Sequence, residues 1–317
     1  MKKTLLLLLL PWHLMAATFQ FNFGAGFNDN TPVTPVGGNS GTTLGAQRQI
    51  LFQAVANIWG SRIVSNVTIV VDASFTALTC NPNSAVLGSA GPTSFHSGFP
   101  SQPIANTFYP RSLIDAIRGT NNNPGVADIT AQFNSAIDTG CFNGGTFYYG
   151  ISGNAPAGKV QIFSTVLHEL GHGLGFVSLA SFNDGSFPSG GIPSIFDRSV
   201  FDNQANLPWT AMNSTQRFAS MTNDPFLVWN GNNVNNNAAS FISQGFNGGN
   251  VRLFAPASLQ PGSSVSHFSS SAFPDLLMEP SLGNIGFNQV DLTPFLFEDM
   301  GYGINANNDV IFSNGFE

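Results

Sequence analysis

Three stretches of the chain place apolar residues at spacings of three and four, which is the period of an amphipathic helix. They cover residues 44–59, 111–118 and 159–177. The first carries one apolar stripe, formed by Ile50, Leu51, Val55, Ile58 and Trp59. The second is followed directly by Gly119, a residue type that often ends helices. The pattern therefore predicts three helices in the first 177 residues.

Two short runs have the composition of buried strands. Residues 67–71 read Val-Thr-Ile-Val-Val and residues 146–150 read Thr-Phe-Tyr-Tyr-Gly, and β-branched and aromatic residues favour strands. Turn-forming residues dominate a lead-in at 28–45 and a long segment at 178–266. Within that segment, the asparagine-rich residues 230–237 are predicted to form a solvated loop.

The first 17 residues have the features of a secretory signal peptide. Lys2 and Lys3 give a positively charged start, leucines fill positions 5–10, and small residues suited to cleavage follow at 16 and 17. The apolar run is too short to cross a bilayer, which takes about 20 residues, and no later segment approaches that length. We therefore expect an exported protein, extracellular or periplasmic, with no transmembrane segment in the mature chain.

The overall charge excludes one class of binding partner. The 317 residues include 10 Lys and Arg against 17 Asp and Glu, a formal net charge of −7, and no run of basic residues. Binding to a phosphate backbone depends on clustered Lys and Arg side chains, so a nucleic acid is excluded as the main partner. The hydrophobic fraction of 42% instead predicts a folded chain of one large domain or two packed subdomains.

Cys80 and Cys141 are the only cysteines. An even number of cysteines in an exported chain favours a disulfide, because compartments outside the cytosol are oxidising. A nucleophilic cysteine would need a neighbour that lowers the thiol pKa, and neither residue has a His, Lys or Arg beside it in sequence. We therefore predict a structural Cys80–Cys141 disulfide.

The third predicted helix contains His168-Glu169-Leu170-Gly171-His172, a complete H-E-x-x-H motif. Residues four positions apart share one face of a helix, so both imidazoles can bind the same metal ion. Glu169 lies between them, where it can accept a proton from a water molecule at the metal. If these were ordinary core residues, the Glu169 carboxylate would lack a partner on an apolar helix. The motif therefore predicts a catalytic zinc ion with Glu169 as the general base.

A catalytic zinc takes three protein ligands and keeps one position for water. With the leader and His13 removed, the histidines outside the motif are His96 and His267. His96 lies in a loop bounded by Gly and Pro, where a histidine is usually solvated. A downstream glutamate could also serve, and the interior candidates are Glu279 and Glu298.

Further parts of a zinc-peptidase pattern follow H-E-x-x-H, one of them close to it and two of them much later in the chain. Gly175 completes the pattern H-E-x-x-H-x-x-G, but Ser178 stands where the common metzincins have their third histidine. Ser266-His267-Phe268 and Leu276-Leu277-Met278-Glu279-Pro280 come much later. This arrangement resembles the leishmanolysin-like metzincins, in which a long insertion separates the glycine from the third histidine and a methionine turn. The resemblance covers about residues 159–302 and includes a closing helix at 291–302.

The resemblance implies an α+β fold of the metzincin type, with a twisted mixed sheet above a cleft, the active-site helix behind it and a smaller carboxy-terminal subdomain. After the signal peptide at 1–17, we expect the catalytic subdomain at 18–178 and the subdomain with the methionine turn at 179–303. Residues 304–317 then form a tail.

The resemblance also implies the ligands and the activity. His168, His172 and His267 would bind one Zn²⁺ ion, Glu169 would act as the general base, and Met278 would form an apolar floor beneath the metal. The expected function is that of a secreted zinc metalloendopeptidase acting on proteins or peptides.

Two other functional classes remain open. One is a zinc peptidase whose third ligand is Glu279 or Glu298, and the other is a non-enzymatic surface or adhesion protein, suggested by low charge and by loops rich in Asn, Ser and Phe. Asn183-Asp184-Gly185 is a candidate calcium loop, but such a tripeptide is far more often a turn. The apolar residues 310–317 predict an added edge strand, with a sorting tag as the alternative.

Overall fold

A computed structural model describes residues 15–281 and 290–305. Its α-helices are α1 (Leu44–Arg62), α2 (Arg111–Arg118), α3 (Ile162–Gly173), α4 (Pro188–Gly191), α5 (Ser214–Ser220), α6 (Asn232–Asn237) and α7 (Thr293–Met300). Short 3-10 helices cover Ser135–Thr139, Asp197–Ser199, Trp209–Ala211 and Ala238–Ser240. Most of the predicted leader, with His13, and most of the predicted tail lie outside the described residues.

The strands are β1 (Phe19–Phe23), β2 (Ile63–Val64), β3 (Ile69–Thr76), β4 (Cys80–Asn81), β5 (Ser84–Ala85), β6 (Gly88–Pro92), β7 (Phe95–His96), β8 (Tyr109–Pro110), β9 (Ile129–Asn134), β10 (Thr146–Tyr148), β11 (Lys159–Gln161), β12 (Val200–Asp202), β13 (Leu207–Pro208), β14 (Leu227–Trp229), β15 (Phe246–Asn247), β16 (Asn250–Val251) and β17 (Gly303–Ile304). Four of them form the central sheet, in the order β1-β3-β9-β6. The prediction of a mixed sheet in an α+β fold is confirmed.

The central sheet combines parallel and antiparallel pairs. β1 and β9 both run parallel to β3, whereas β6 lies antiparallel to β9 at the edge, with Ala90 opposite Ala131. Every second side chain of β3 is buried, namely Ile69, Val71, Ala73 and Phe75. This period of two is the signature of a strand that packs one face on a core. The sheet therefore has one face toward the apolar interior.

Helices α1 and α3 pack against each other beside this sheet. Four of the five residues of the apolar stripe of α1 are buried, Ile50 being the partly exposed one, and Leu51, Val55 and Trp59 have no exposed surface. The indole Nε1 of Trp59 donates a hydrogen bond to the Leu167 carbonyl of α3 at 3.0 Å. Because α3 also contacts β6, the helix that carries the H-E-x-x-H motif is held between α1 and the edge of the sheet.

Two of the three predicted helices agree closely with the structure. α1 begins at Leu44 as predicted and continues to Arg62. α2 spans the predicted residues and ends at Gly119, which adopts a φ of 64°. Glycine enters this left-handed conformation without the steric cost that a side chain imposes.

The third predicted helix is shorter than its apolar period indicated. Residues 159–161 form β11, which pairs in parallel with β10, and α3 begins only at Ile162. A neighbouring strand thus supplies the main-chain partners of these residues, and tertiary pairing overrides their weak helical preference. The helix ends at Gly173, and Gly175 adopts a φ of 117°, a conformation that glycine enters without a steric cost.

The two predicted strands exist with shifted boundaries. The run predicted at 67–71 forms Ile69–Thr76, because Ala73 and Phe75 continue the buried alternation beyond the β-branched residues. The run predicted at 146–150 ends at Tyr148. Composition located both strands, and core contacts set where they end.

The prediction of a solvated loop at 230–237 was wrong, because the asparagine-rich residues from 232 onward form α6. Val234 is completely buried, and Asp299 of α7 accepts hydrogen bonds from the main-chain N–H groups of Asn233 (2.8 Å) and Val234 (3.1 Å). A carboxylate at this end of a helix satisfies donors that have no partner within it. The helix therefore depends on a residue more than sixty positions away.

Cys80 and Cys141 form a disulfide, which confirms the predicted pairing. The bond joins β4 to the segment after the 3-10 helix at Ser135–Thr139, across a sequence separation of 61 residues. Closing a loop of this length limits the unfolded chain and stabilises the fold by about 4 kcal/mol in the chain-entropy description.

This disulfide leads to a measurable expectation for stability. Wild-type protein denatured without reductant should show no titratable thiol, and the double variant Cys80→Ser/Cys141→Ser should lose about 2–4 kcal/mol of unfolding free energy. Thiol titration and urea denaturation provide the two readouts. Two reactive thiols per wild-type chain would contradict the pairing.

Among the described residues, no helix has both the length and the apolar character needed to cross a membrane. Near the end of the described chain, β17 pairs antiparallel with β2, which directly follows α1. The end of the described chain therefore lies next to the end of α1. The proposed division of the chain at residue 178 stays a prediction.

Candidate metal centre

Helix α3 places two histidines of the motif side by side. Val166, Leu167 and Leu170 of this helix are completely buried in the core, which fixes the rotation of the helix about its axis. His168 and His172 then lie one turn apart, with their Nε2 atoms separated by 3.0 Å. The geometry of a single helix is therefore enough to bring two histidine side chains together.

The third histidine comes from the chain after the long insertion. The Nε2 atom of His267 lies 3.1 Å from that of His172 and 3.2 Å from that of His168. The His267 side chain is almost wholly buried, and its main-chain carbonyl accepts a hydrogen bond from the N–H of Phe254 at 2.9 Å. Three imidazole nitrogens therefore meet at one point.

Main-chain carbonyls determine the tautomer of all three rings. The Nδ1 atoms of His168, His172 and His267 each lie 2.7 Å from a carbonyl oxygen, contributed respectively by Leu277, Phe176 and Ser263. A carbonyl can only accept, so each Nδ1 carries the hydrogen and each neutral ring keeps its lone pair on Nε2. The three lone pairs face one another, an arrangement that is repulsive unless a cation lies between them.

The surroundings also keep these rings unprotonated. Burial, with the nearby His172 as a smaller cause, lowers the pKa of His168 to about 3, and burial lowers the pKa of His172 to about 4. The pKa of His267 is likewise held well below its usual value, first by burial and then by the other two histidines. Protons are therefore poor occupants of the point where the lone pairs converge, and a metal ion is the fitting one.

The spacing of the nitrogens suits a metal ion with tetrahedral coordination. Zn–N bonds of about 2.0–2.1 Å at tetrahedral angles place ligand nitrogens roughly 3.3 Å apart. The three Nε2 separations of 3.0–3.2 Å are close to that value. The buried three-histidine group can hold a metal ion. Imidazole binds zinc, copper, iron and nickel well, so the three histidines alone do not determine which of these metals the site holds.

Glu169 is buried and directly follows His168 in the sequence. Burial raises the pKa of its carboxyl group to about 8, and the main-chain N–H of Ala90 in β6 opposes that rise. Glu169 is not one of the residues whose ligand atoms converge. The Glu169 carboxyl group is therefore a buried acid that is not one of the converging ligands.

Met278 lies against the helix that carries the motif. A side-chain carbon added at Gly171 would come within 2.6 Å of the Met278 sulfur, so only glycine permits this close approach. The Met278 carbonyl accepts a hydrogen bond from the N–H of Phe268 at 2.8 Å, next to His267. Because the preceding Leu277 carbonyl holds His168, this turn connects two of the three histidines.

The other candidates lie apart from the three-histidine group. His96 is exposed in β7, with its Nε2 atom 2.9 Å from the Ser94 hydroxyl. Glu279 accepts a hydrogen bond from the N–H of Leu276 at 2.7 Å, and Glu298 belongs to α7. None of these three residues is in the group, which within the described chain is the only set of three potential ligands that converge.

The possible calcium loop forms an ordinary turn. The exposed Asp184 carboxylate accepts hydrogen bonds from the N–H (3.0 Å) and the hydroxyl (2.7 Å) of Ser186. These local bonds account for an aspartate in such a tripeptide. The turn gives no support for calcium.

The residues that orient the imidazoles could not be found from the sequence. They act through main-chain carbonyl oxygens at positions 176, 263 and 277, and every residue has such an oxygen. Only the spatial arrangement singles them out.

No family model, curated protein or solved structure gave a match to this chain. The class of protein is accordingly defined by its fold and its site. It is an α+β protein with a mixed sheet and a buried three-histidine group that can hold a metal ion.

Proposed function

We propose that this protein is a zinc-dependent metallopeptidase of the leishmanolysin-like metzincin type, which hydrolyses peptide bonds in proteins or peptides. One observation carries the proposal. Three neutral imidazoles present converging Nε2 lone pairs, and a buried carboxylic acid, Glu169, follows the first of them in sequence. A site with three imidazoles and an adjacent acid is suited to activate water.

Zinc is the metal that we propose for this site, because a hydrolytic role favours zinc among the metals that imidazole can bind. Catalytic zinc commonly has three protein ligands and one open position, and here His168, His172 and His267 would hold it. When bound, the ion supplies Lewis acidity, which activates water for attack and polarises the carbonyl group of a substrate. The carbonyls of Leu277, Phe176 and Ser263 keep the rings in the metal-binding tautomer.

Glu169 moves the proton in this proposal. Its carboxylate accepts a proton from the attacking water and returns it to the amine that leaves. A nearby cation favours the ionised form of a carboxyl group, which prepares Glu169 to act as a base. The buried position also excludes bulk water, so the interaction between the carboxylate and the developing charges is strong.

The geometry gives less support to the alternatives. A glutamate-ligand peptidase would need Glu279 or Glu298 in the converging group, and the group contains neither. An adhesion protein has no use for a buried acid beside three metal-binding imidazoles. The leader-like first residues and the Cys80–Cys141 disulfide support an exported location, extracellular or periplasmic.

Metal analysis combined with a digestion assay tests the proposal. Purified protein should contain about one zinc per chain and should cleave casein or gelatin. A chelator such as 1,10-phenanthroline should abolish the cleavage, and added Zn²⁺ should restore it. Metal-bound protein that cleaves neither substrate, or cleavage that survives complete metal removal, would refute the peptidase.

A further inference from the structure

The segment that supplies His267 contains a strained turn. Val265 is completely buried and has a φ of 70°, which is unusual for a β-branched residue. The N–H of Ser266 donates to the Ser264 carbonyl at 2.8 Å and closes a three-residue turn around Val265. Such γ-turns are rare and persist only where surrounding contacts hold them.

One set of contacts comes from the main chain of Phe254. Its carbonyl accepts from the N–H of Val265 at 2.7 Å, and its N–H donates to the His267 carbonyl at 2.9 Å. These bonds anchor the segment to Phe254 at Val265 and at His267. They leave the Ser266 side chain, inside the turn, available for a contact of its own.

Ser266 makes that contact with the chain that leaves α3. Its hydroxyl oxygen accepts a hydrogen bond from the main-chain N–H of Ser178 at 3.0 Å, and the bond is buried. Ser178 follows Gly175, where the chain turns after His172. This bond therefore joins the segments that carry two of the three histidines, 88 positions apart in sequence.

Ser178 is itself held rigidly. Its hydroxyl donates to the Asp197 carboxylate at 2.5 Å, and the same carboxylate accepts from the N–H of Leu179 at 3.1 Å. Ser194 donates to that carboxylate with both its N–H (3.0 Å) and its hydroxyl (2.7 Å). Asp197 is completely buried, so these bonds form in a region without competing solvent.

We infer that Ser266, anchored through Ser178 to Asp197, is a positioning residue that aligns His267 with the two histidines of α3. The inference rests on the proposed metal site. Helix geometry fixes His168 relative to His172, whereas only tertiary contacts fix His267. Partners that orient a metal ligand typically change metal affinity 10–100-fold when they are removed.

The test compares Ser266→Ala with Ser269→Ala in the full-length protein. Ser269 is a matched control, because it is similarly buried and lies two positions after His267, and because within the described part of the chain its hydroxyl contacts only the neighbouring Ser271. Zn²⁺ affinity is measured by competition with a chromophoric chelator. We expect about tenfold weaker binding in Ser266→Ala, less than a twofold change in Ser269→Ala, and recovery in Ser266→Thr, which keeps the hydroxyl.

Two further readouts separate positioning from a general loss of stability. The visible spectrum of the Co²⁺-substituted protein should change in Ser266→Ala, whereas the thermal midpoint of the metal-free protein should shift no more than in Ser269→Ala. Unchanged Zn²⁺ affinity in Ser266→Ala, equal losses in the two variants, or a wild-type protein that binds no metal would each overturn the inference. Metal binding without peptide hydrolysis would instead refute the peptidase and leave the positioning role intact.

Discussion

Replacement of Glu169 by glutamine is expected to reduce peptide hydrolysis by about 10²–10⁴-fold while metal content stays at one ion per chain. The amide has nearly the shape of the carboxyl group, so packing around α3 should not change. It cannot accept a proton at neutral pH, and that is the single step removed. The measurement is kcat/KM on a peptide substrate, with metal content determined on the same sample.

Stability measurements on the metal-free Glu169→Gln variant provide the control. Burial raises the pKa of Glu169 to about 8 in the folded protein, against 4.5 as the ordinary value. The stabilisation associated with this raised pKa is complete below about pH 4.5 and is lost as the pH rises through 8. The variant lacks this dependence, so its unfolding free energy relative to wild type should increase across that range.

A contrary result for Glu169→Gln is easily recognised. Near-normal kcat/KM in fully metal-loaded variant would remove Glu169 from the mechanism. A variant that loses the metal together with activity would indicate that the carboxylate supports the ion and not only the proton transfer.

Replacement of His267 by alanine is expected to abolish stoichiometric zinc binding and hydrolysis together. The change removes one of three converging nitrogens and leaves two, both on α3. A catalytic site normally needs three protein ligands, so zinc affinity should fall by orders of magnitude. Equilibrium dialysis with metal analysis measures the loss, and the digestion assay measures its consequence.

His96→Ala is the matched control for this experiment. His96 is an exposed histidine whose imidazole contacts the Ser94 hydroxyl, so its removal should leave zinc and activity unchanged. If His267→Ala retained one tightly held zinc and normal turnover, the metzincin assignment would have to be abandoned. Glu279→Gln and Glu298→Gln would then identify the ligand of a glutamate-type peptidase.

Sequence periodicity was most successful where a structure depends on near neighbours. The apolar stripe of α1 lies within that helix, and the glycine that ends α2 directly follows it. The helical period failed at Lys159–Gln161, where the pairing of β11 with β10 replaced a helical turn. The asparagine-rich composition gave a wrong prediction at α6, whose first N–H groups are held by Asp299. In both cases a distant partner supplied hydrogen bonds that local propensity could not reveal.

In the candidate site too, the local features could be predicted from the sequence and the contacts between distant segments could not. The sequence alone placed His168 and His172 on one helix face with Glu169 beside them, since residues four positions apart always meet on an α-helix. It could not by itself choose among His96, His267 and the interior glutamates, because the spacing along the chain does not determine spatial distance across a long insertion.

What the sequence by itself determined is the set of local features, namely α1, α2, the histidine pair of α3 and, because the chain has only two cysteines, the disulfide. The tertiary structure decided which distant histidine completes the group: His267 lies 95 positions from His172, yet their Nε2 atoms are 3.1 Å apart. It also decided the tautomer of each ring through main-chain carbonyls. Such contacts depend on burial and on hydrogen bonds between remote segments, and main-chain groups carry no residue-specific signature.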